Sequence, residues 1–268
     1  MSPLIAALLG IVEGITEYLP ISSTGHLILV SRLLGLSGEG VDAFDIVIQL
    51  GAILAVLVHY RALLFRRAVG LATGKPESKV LFASLVVGFA PTAVTGLLLH
   101  KKIKTLLFGP LPVAIALVVG GILMIVLERM RAARGTQGVS GLEHVTVRRA
   151  FFIGLGQCLS MWPGSSRSMC TIVAGQLTGL STATAAEFSF LLGLPTLGAA
   201  TLYEGYKSRE ALLTIGGANI AIGLVVSFLV AWAVIAAFVG YLQRRGLVPF
   251  GVYRIALGAI VFFALVRG

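Results

Sequence analysis

Six apolar runs of membrane-spanning length constrain this chain more than any other feature: residues 44–60, 80–99, 110–128, 183–204, 214–240 and 249–266. A helix needs about 20 apolar residues to cross the hydrocarbon core, and the first of these runs sits at the short end of the range. Inside lipid every backbone N–H and C=O must be paired within the protein, which leaves helices or a closed barrel. All six runs exceed the ~9–11 residues of a barrel strand. Of the 268 residues, 57% are hydrophobic and 12% charged, against about 25% charged in a soluble domain. The fold class expected is an all-α polytopic membrane protein. The net charge of +10 is concentrated in short loops between apolar runs, so it reads as a topology signal and no nucleic-acid partner is expected. Glu13 interrupts the first apolar run and no basic region precedes it, so no cleaved signal peptide is expected.

Four shorter segments, 3–18, 24–35, 147–161 and 167–180, bring the expected total to about ten helices. They come in pairs around Leu19-Pro20-Ile21-Ser22-Ser23 and Trp162-Pro163-Gly164-Ser165-Ser166. Each pair reads as a re-entrant hairpin, because broken backbone at membrane depth is tolerated only inside protein or beside a cavity; the alternative is two ordinary crossings with a Pro kink. Pro20, Ser22 and Ser23 align with Pro163, Ser165 and Ser166, and Asp45…Gly51 with Glu187…Gly193. The chain therefore reads as one integral membrane domain over 1–268 with repeat halves at about 1–140 and 141–268. Three crossings per half are an odd number, so the halves are expected to be inverted, with a site where they meet near the midplane. Loops 61–79, 129–149 and 241–248 hold twelve of the Lys and Arg residues, against seven on the opposite side. That asymmetry places the first set in the cytoplasm and both termini outside.

The polar residues of the two hairpins carry the chemistry. Ionisable groups are costly at membrane depth and mark function by default. Glu13 and Glu17 share one helix face a turn apart and can share a proton or a cation. Mg²⁺ or Ca²⁺ suits such oxygen ligands. Ser22, Ser23 and Thr24 open one helix and Ser165, Ser166 and Arg167 another. Plain N-capping explains any single hydroxyl. Two helix N-termini that converge also form an anion site, with Arg167 able to hold a phosphate bidentately or to neutralise an acid. Thr171, one turn after Arg167, fits either the cavity or packing. Ser23, His26 and Glu17 fit the roles of nucleophile, base and orienter. Asp45 and Glu187 are expected to support the hairpins rather than react. His59, His100 and His144 read as solvated, Cys158 and Cys170 as small buried hydrophobes, and Gly120-Gly121 and Gly216-Gly217 as helix-packing positions. No P-loop, zinc motif or dinucleotide fingerprint is present.

The segments Glu13-Gly-Ile-Thr-Glu17-Tyr-Leu-Pro-Ile-Ser-Ser-Thr-Gly-His26 and Pro163-Gly-Ser-Ser-Arg167-Ser-Met-Cys-Thr171 closely resemble the two signature motifs of the bacterial undecaprenyl-diphosphate phosphatases, the bacitracin-resistance family. The resemblance extends over essentially the whole chain. It implies hydrolysis of undecaprenyl diphosphate to undecaprenyl phosphate and inorganic phosphate, recycling of the lipid carrier of peptidoglycan synthesis, bacitracin resistance, and a multi-pass protein of the inner membrane with its site opening outward. The positions it carries over are Glu13, Glu17, Ser23, His26, Ser166, Arg167 and Thr171. The expected reaction is phosphoryl transfer, with the diphosphate held by Arg167, Ser22, Ser23, Thr24, Ser165, Ser166 and Thr171. A divalent cation would sit on Glu13 and Glu17. Ser23 would attack with His26 taking its proton, or metal-bound water would attack directly. The partners expected are a polyprenyl diphosphate and the membrane, and a homo-oligomer is compatible with both. The alternative is a transporter or flippase for polyprenyl phosphate, since inverted repeats with broken helices are also a transporter architecture.

Overall fold

The computed structural model describes residues 1–107 and 109–265. Among them are thirteen α-helices and two short 3-10 turns, and the only strand-like contact is a bridge from Val139 to Leu180. In chain order the first half contains α1 (Pro3–Thr16), α2 (Ser23–Leu33), α3 (Glu39–Val47), α4 (Gln49–His59), α5 (Arg61–Ala72), α6 (Pro76–Leu107) and α7 (Pro110–Ala133). The second contains α8 (Val147–Cys158), α9 (Arg167–Leu177), α10 (Thr182–Lys207), α11 (Arg209–Ile215), α12 (Gly217–Leu242) and α13 (Val248–Leu265).

Five stretches are long and apolar enough to cross a membrane: Glu39–His59, Pro76–Leu99, Pro110–Ala133, Thr182–Lys207 and Gly217–Leu242. The sixth expected crossing is present as α13, but its apolar stretch, Val248–Ala264, is a shorter helix. The expected run 44–60 begins earlier and breaks at Ile48 into α3 and α4. The expected loop 61–79 forms α5 instead, and α11 occupies the gap between the expected runs 183–204 and 214–240, so that the latter begins later, at Gly217. Arg61, Arg66 and Arg67 on α5 hid its periodicity behind charge. Arg267 lies outside the described residues, and so do the side chains of His100, Lys101, Lys102 and Lys104. Large apolar side chains cover the outside: Leu4, Leu33, Leu97, Leu98 and Leu213 are each at least 75% exposed. Such a surface suits lipid and would be a liability in water.

The helices of the hairpins pack crosswise. α1 lies on α12 of the second half and α8 on α6 of the first, while α7 pairs with α13. Small residues permit the close approach. A Cβ on Gly10 would meet the Gly223 carbonyl oxygen at 2.7 Å, and one on Gly14 the Ser227 carbonyl oxygen at 2.8 Å. Gly120 and Gly121 do face α13, as expected of packing positions. Gly216 and Gly217 do not: Gly216 caps α12 with φ of 87°, and a Cβ on Gly217 would touch nothing. α1, α2, α8 and α9 have 14, 11, 12 and 11 residues, or roughly 15–20 Å at 1.5 Å per residue. None can cross a core about 30 Å thick, so each pair turns back inside the protein.

Candidate active site

The two turns meet. Arg167 Nη2 lies 2.9 Å from Glu17 Oε1, and the Ser168 hydroxyl donates to the Leu19 carbonyl at 2.8 Å. Both α2 and α9 begin on a strained serine. Ser22 has φ of 74° and Ser166 φ of 70°, and they are the non-glycine residues of positive φ among the described residues. Such a conformation costs on the order of 1–3 kcal/mol and gathers at functional sites. Each serine hydroxyl caps its helix: Ser22 Oγ accepts from Gly25 N, and Ser166 Oγ from Met169 N, both at 3.2 Å. The plain capping role therefore holds for these two. It also moves the repeat register by one residue, so that Ser22 matches Ser166 and Ser23 matches Arg167. The Ser23 hydroxyl of one half stands where the other half carries the Arg167 guanidinium.

Ser23 is buried and donates to Glu17 Oε2 at 2.7 Å. Both oxygens of Glu17 are thus engaged, one by Ser23 and one by Arg167. Arg167 is held further by Ser189, with Nη1 donating to its carbonyl at 2.8 Å and its hydroxyl at 3.2 Å. The guanidinium carbon sits 5.6 Å over the Tyr18 ring, a cation–π contact. Thr171 Oγ1 donates to the Arg167 carbonyl at 2.8 Å and lies 2.6 Å from Ser189 Oγ, so Thr171 braces the residues that hold Arg167. Ser165 is buried in the turn and Thr24 is exposed at the start of α2. The first N–H groups of a helix lack intrahelical partners. With Gly25 N and Met169 N capped, those of Ser23, Thr24, Arg167 and Ser168 remain as two converging sets of donors.

His26 does not take the place expected beside Ser23. Its Nδ1 is 2.7 Å from the Ser22 carbonyl and its Nε2 is 2.7 Å from the Tyr253 hydroxyl. The group in hydrogen-bond reach of the Ser23 proton is Glu17. The geometric reason is the turn itself: positive φ at Ser22 directs Ser23 inward and lays the His26 ring over the Ser22 carbonyl. Glu13 is fully buried, and neither carboxylate oxygen has a hydrogen-bond partner among the described residues. Asp45 and Glu187 make no hydrogen bond to either hairpin among the described residues, so they do not brace the turns that way. Cys170 is buried as expected, while Cys158 is only partly so. His144 is exposed and His59 half-buried.

One component was invisible in the two motifs. Arg254 on α13 is fully buried and donates to the carbonyls of Pro20 at 3.3 Å, Gly164 at 3.0 Å and Ala116 at 3.0 Å. It ties both turns to α7. Gly120 leaves the space for its guanidinium. The available signal was an Arg inside an apolar run, the same signal that marked Arg167.

The family model "Bacitracin resistance protein BacA" matches residues 6–260. That span includes both turns, Tyr253 and Arg254. A protein of Sorangium cellulosum (strain So ce56) named undecaprenyl-diphosphatase is 56% identical over 235 residues, which cover 87% of this chain and 76% of that protein. Another of the same name, from Sphingopyxis alaskensis, is 48% identical over 233 residues, covering 87% of this chain and 86% of that one. This chain belongs to the bacitracin resistance protein BacA family.

Proposed function

We infer that this protein hydrolyses undecaprenyl diphosphate to undecaprenyl phosphate and inorganic phosphate. The observation that carries the reading is the buried Ser23–Glu17–Arg167 contact across the two turns. It joins a nucleophile, a proton acceptor and a phosphate ligand, beside two helix N-termini suited to an anion. The names of the relatives agree with it.

The residues divide the work as follows. An incoming diphosphate competes with Glu17 for Arg167 and for the free N–H groups of Ser23, Thr24, Arg167 and Ser168. As Arg167 turns to the phosphate, Glu17 keeps Ser23 as its partner and is left free of the ion pair to accept the Ser23 proton. Ser23 Oγ attacks the terminal phosphorus and passes its proton to Glu17. The bond from phosphorus to the bridging oxygen breaks, and undecaprenyl phosphate leaves with that electron pair. Water then attacks the phosphoserine. His26, on the open side of the same helix turn, takes the water proton, and Glu17 returns its own to Ser23. Such reactions rest mainly on positioning and charge stabilisation.

The buried, unpartnered carboxylate of Glu13 fits one end of a hard divalent cation such as Mg²⁺ or Ca²⁺, whose other ligands would be diphosphate oxygens and water. Glu17 is committed to Ser23 and Arg167 and is the weaker ligand. The metal, when bound, neutralises diphosphate charge.

The orientation belongs to the same proposal. The protein lies in the inner membrane as an inverted repeat, with termini and site facing outward. Each half runs hairpin, crossing, short helix and two further helices, the crossing being broken at Ile48 in the first half and continuous as α10 in the second, and the basic loops favour the cytoplasm. The deciding experiment is phosphate release from C55 diphosphate by the purified protein in detergent, with and without a chelator. The expected result is turnover by the wild type and loss of nearly all of it in Ser23→Ala. A protein that releases no phosphate in detergent yet moves polyprenyl phosphate across a sealed bilayer is a transporter, and the hydrolase reading is then wrong.

A further inference from the structure

Tyr253 lies 227 positions from His26, outside both turns, yet it is bonded to the imidazole. The ring and the imidazole are parallel within 2°, with centroids 5.6 Å apart. The Ser22 carbonyl can only accept, so the 2.7 Å contact from Nδ1 requires that Nδ1 carry the proton. The basic lone pair of the neutral ring is then on Nε2, where the Tyr253 hydroxyl donates at 2.7 Å. Tyr253 is 45% exposed, whereas Ser23 is 8% exposed and donates inward to Glu17. The two faces of the first turn of α2 thus turn to different sides: Ser23 to the buried ion pair and His26 Nε2 to the half-exposed Tyr253.

We propose that Tyr253 is a positioning residue for His26: the Ser22 carbonyl sets the Nδ1–H tautomer, and the Tyr253 hydroxyl orients the imidazole by occupying the Nε2 lone pair at rest and yields that lone pair to the attacking water. A base is effective only when the correct nitrogen faces the proton it must take, and the hydrogen bond on the other nitrogen usually sets which one that is. Here both nitrogens are set, one by a backbone carbonyl and one by a hydroxyl on α13. The neighbouring Arg254 grips Pro20 and Gly164, so the helix that carries the hydroxyl is itself fixed to both turns. The inference rests on the reading of His26 as the residue that serves the attacking water.

Tyr253→Phe removes the hydroxyl and keeps the ring, so the fold is preserved. The test measures phosphate release from C55 diphosphate in wild type, Tyr253→Phe, His26→Ala and the double variant. In the wild-type background kcat should fall about tenfold, the worth of one hydrogen bond to the ring, with KM within about twofold of wild type. In the His26→Ala background the same change should cost nothing further, because a residue that acts through another is not additive with it. In ¹⁵N-histidine-labelled protein the Nε2 resonance of His26 should move in Tyr253→Phe. If His26→Ala turns over at the wild-type rate, the role given to His26 fails and this inference fails with it. If His26→Ala is crippled but Tyr253→Phe matches wild type in rate and spectrum, the inference alone is overturned. Equal losses in both backgrounds also overturn it, since Tyr253 would then act without His26.

Discussion

Arg167 divides its guanidinium between Glu17 and Ser189, and this division explains why a buried cation can be both stable and available. A buried ion pair broken by removal of one partner costs about 3–5 kcal/mol. Under the proposed function the site avoids that cost when substrate arrives, because phosphate would replace the carboxylate as the counter-charge. Lysine could neutralise Glu17 but has no planar fork to span Glu17 and Ser189 together. Arg167→Lys should therefore leave a folded protein whose kcat falls by about 10²–10³, the loss typical of a missing transition-state donor. A phosphate-release assay beside a thermal melt measures both halves of that statement, and near-normal turnover would contradict the role assigned to Arg167. Gly193 gives a subtler probe. A Cβ there would lie 3.1–3.3 Å from Arg167 Nη1, Cζ and Nη2. Gly193→Ala should push the guanidinium by a few tenths of an ångström and lower kcat/KM several-fold, with little change in melting temperature. A variant that matches wild type would show that Arg167 tolerates displacement.

At the scale of helices the site is made by ends rather than faces, and α13 holds those ends together. Arg254 satisfies carbonyls on both turns and on α7. Replacing it with Met fills the space but leaves the Pro20 and Gly164 carbonyls without this donor, each costing about 1–3 kcal/mol. Arg254→Met should lower the melting temperature and reduce turnover together, whereas Arg167→Lys reduces turnover alone. Comparing the two melts separates the clasp from the ligand. This contrast also shows what was readable in the sequence. Glu13, Glu17, Ser23 and Arg167 stood out because charge and hydroxyls in an apolar stretch have few other uses, and short segments around Pro20 and Pro163 announced the broken helices. Tyr253 and Arg254 lie in an ordinary apolar helix, and their partners are the Pro20, Ala116 and Gly164 carbonyls and an imidazole more than two hundred positions away. No local pattern records such a contact. The position of His26 was missed for a related reason: spacing of three suggests contact with Ser23, but the positive φ at Ser22 rotates that first turn. The break at Ile48 has no Pro or Gly at that position to mark it, so one apolar run concealed two helices.

For the whole molecule, the crosswise packing of α1 on α12 and α8 on α6 means that the first helix of each hairpin is held by the half that does not contain it. The Ser23 hydroxyl from the first half and the Arg167 guanidinium from the second come together on Glu17 only when both halves are in place. This arrangement supports the inverted repeat and carries a consequence for orientation. Under the proposed topology the turn between α2 and α3 faces outward, and the loop between α7 and α8 faces the cytoplasm. Both are accessible: Ser37 and Thr136 are exposed. In a background with Cys158 and Cys170 replaced, Ser37→Cys should react with a membrane-impermeant maleimide in spheroplasts, and Thr136→Cys should react only after the membrane is opened. The positive-inside bias that motivates this order is a statistical preference set by loop charge, so the labelling is an independent measure of it. The reverse pattern would place the site on the cytoplasmic side and require that diphosphate reach Arg167 from within the cell.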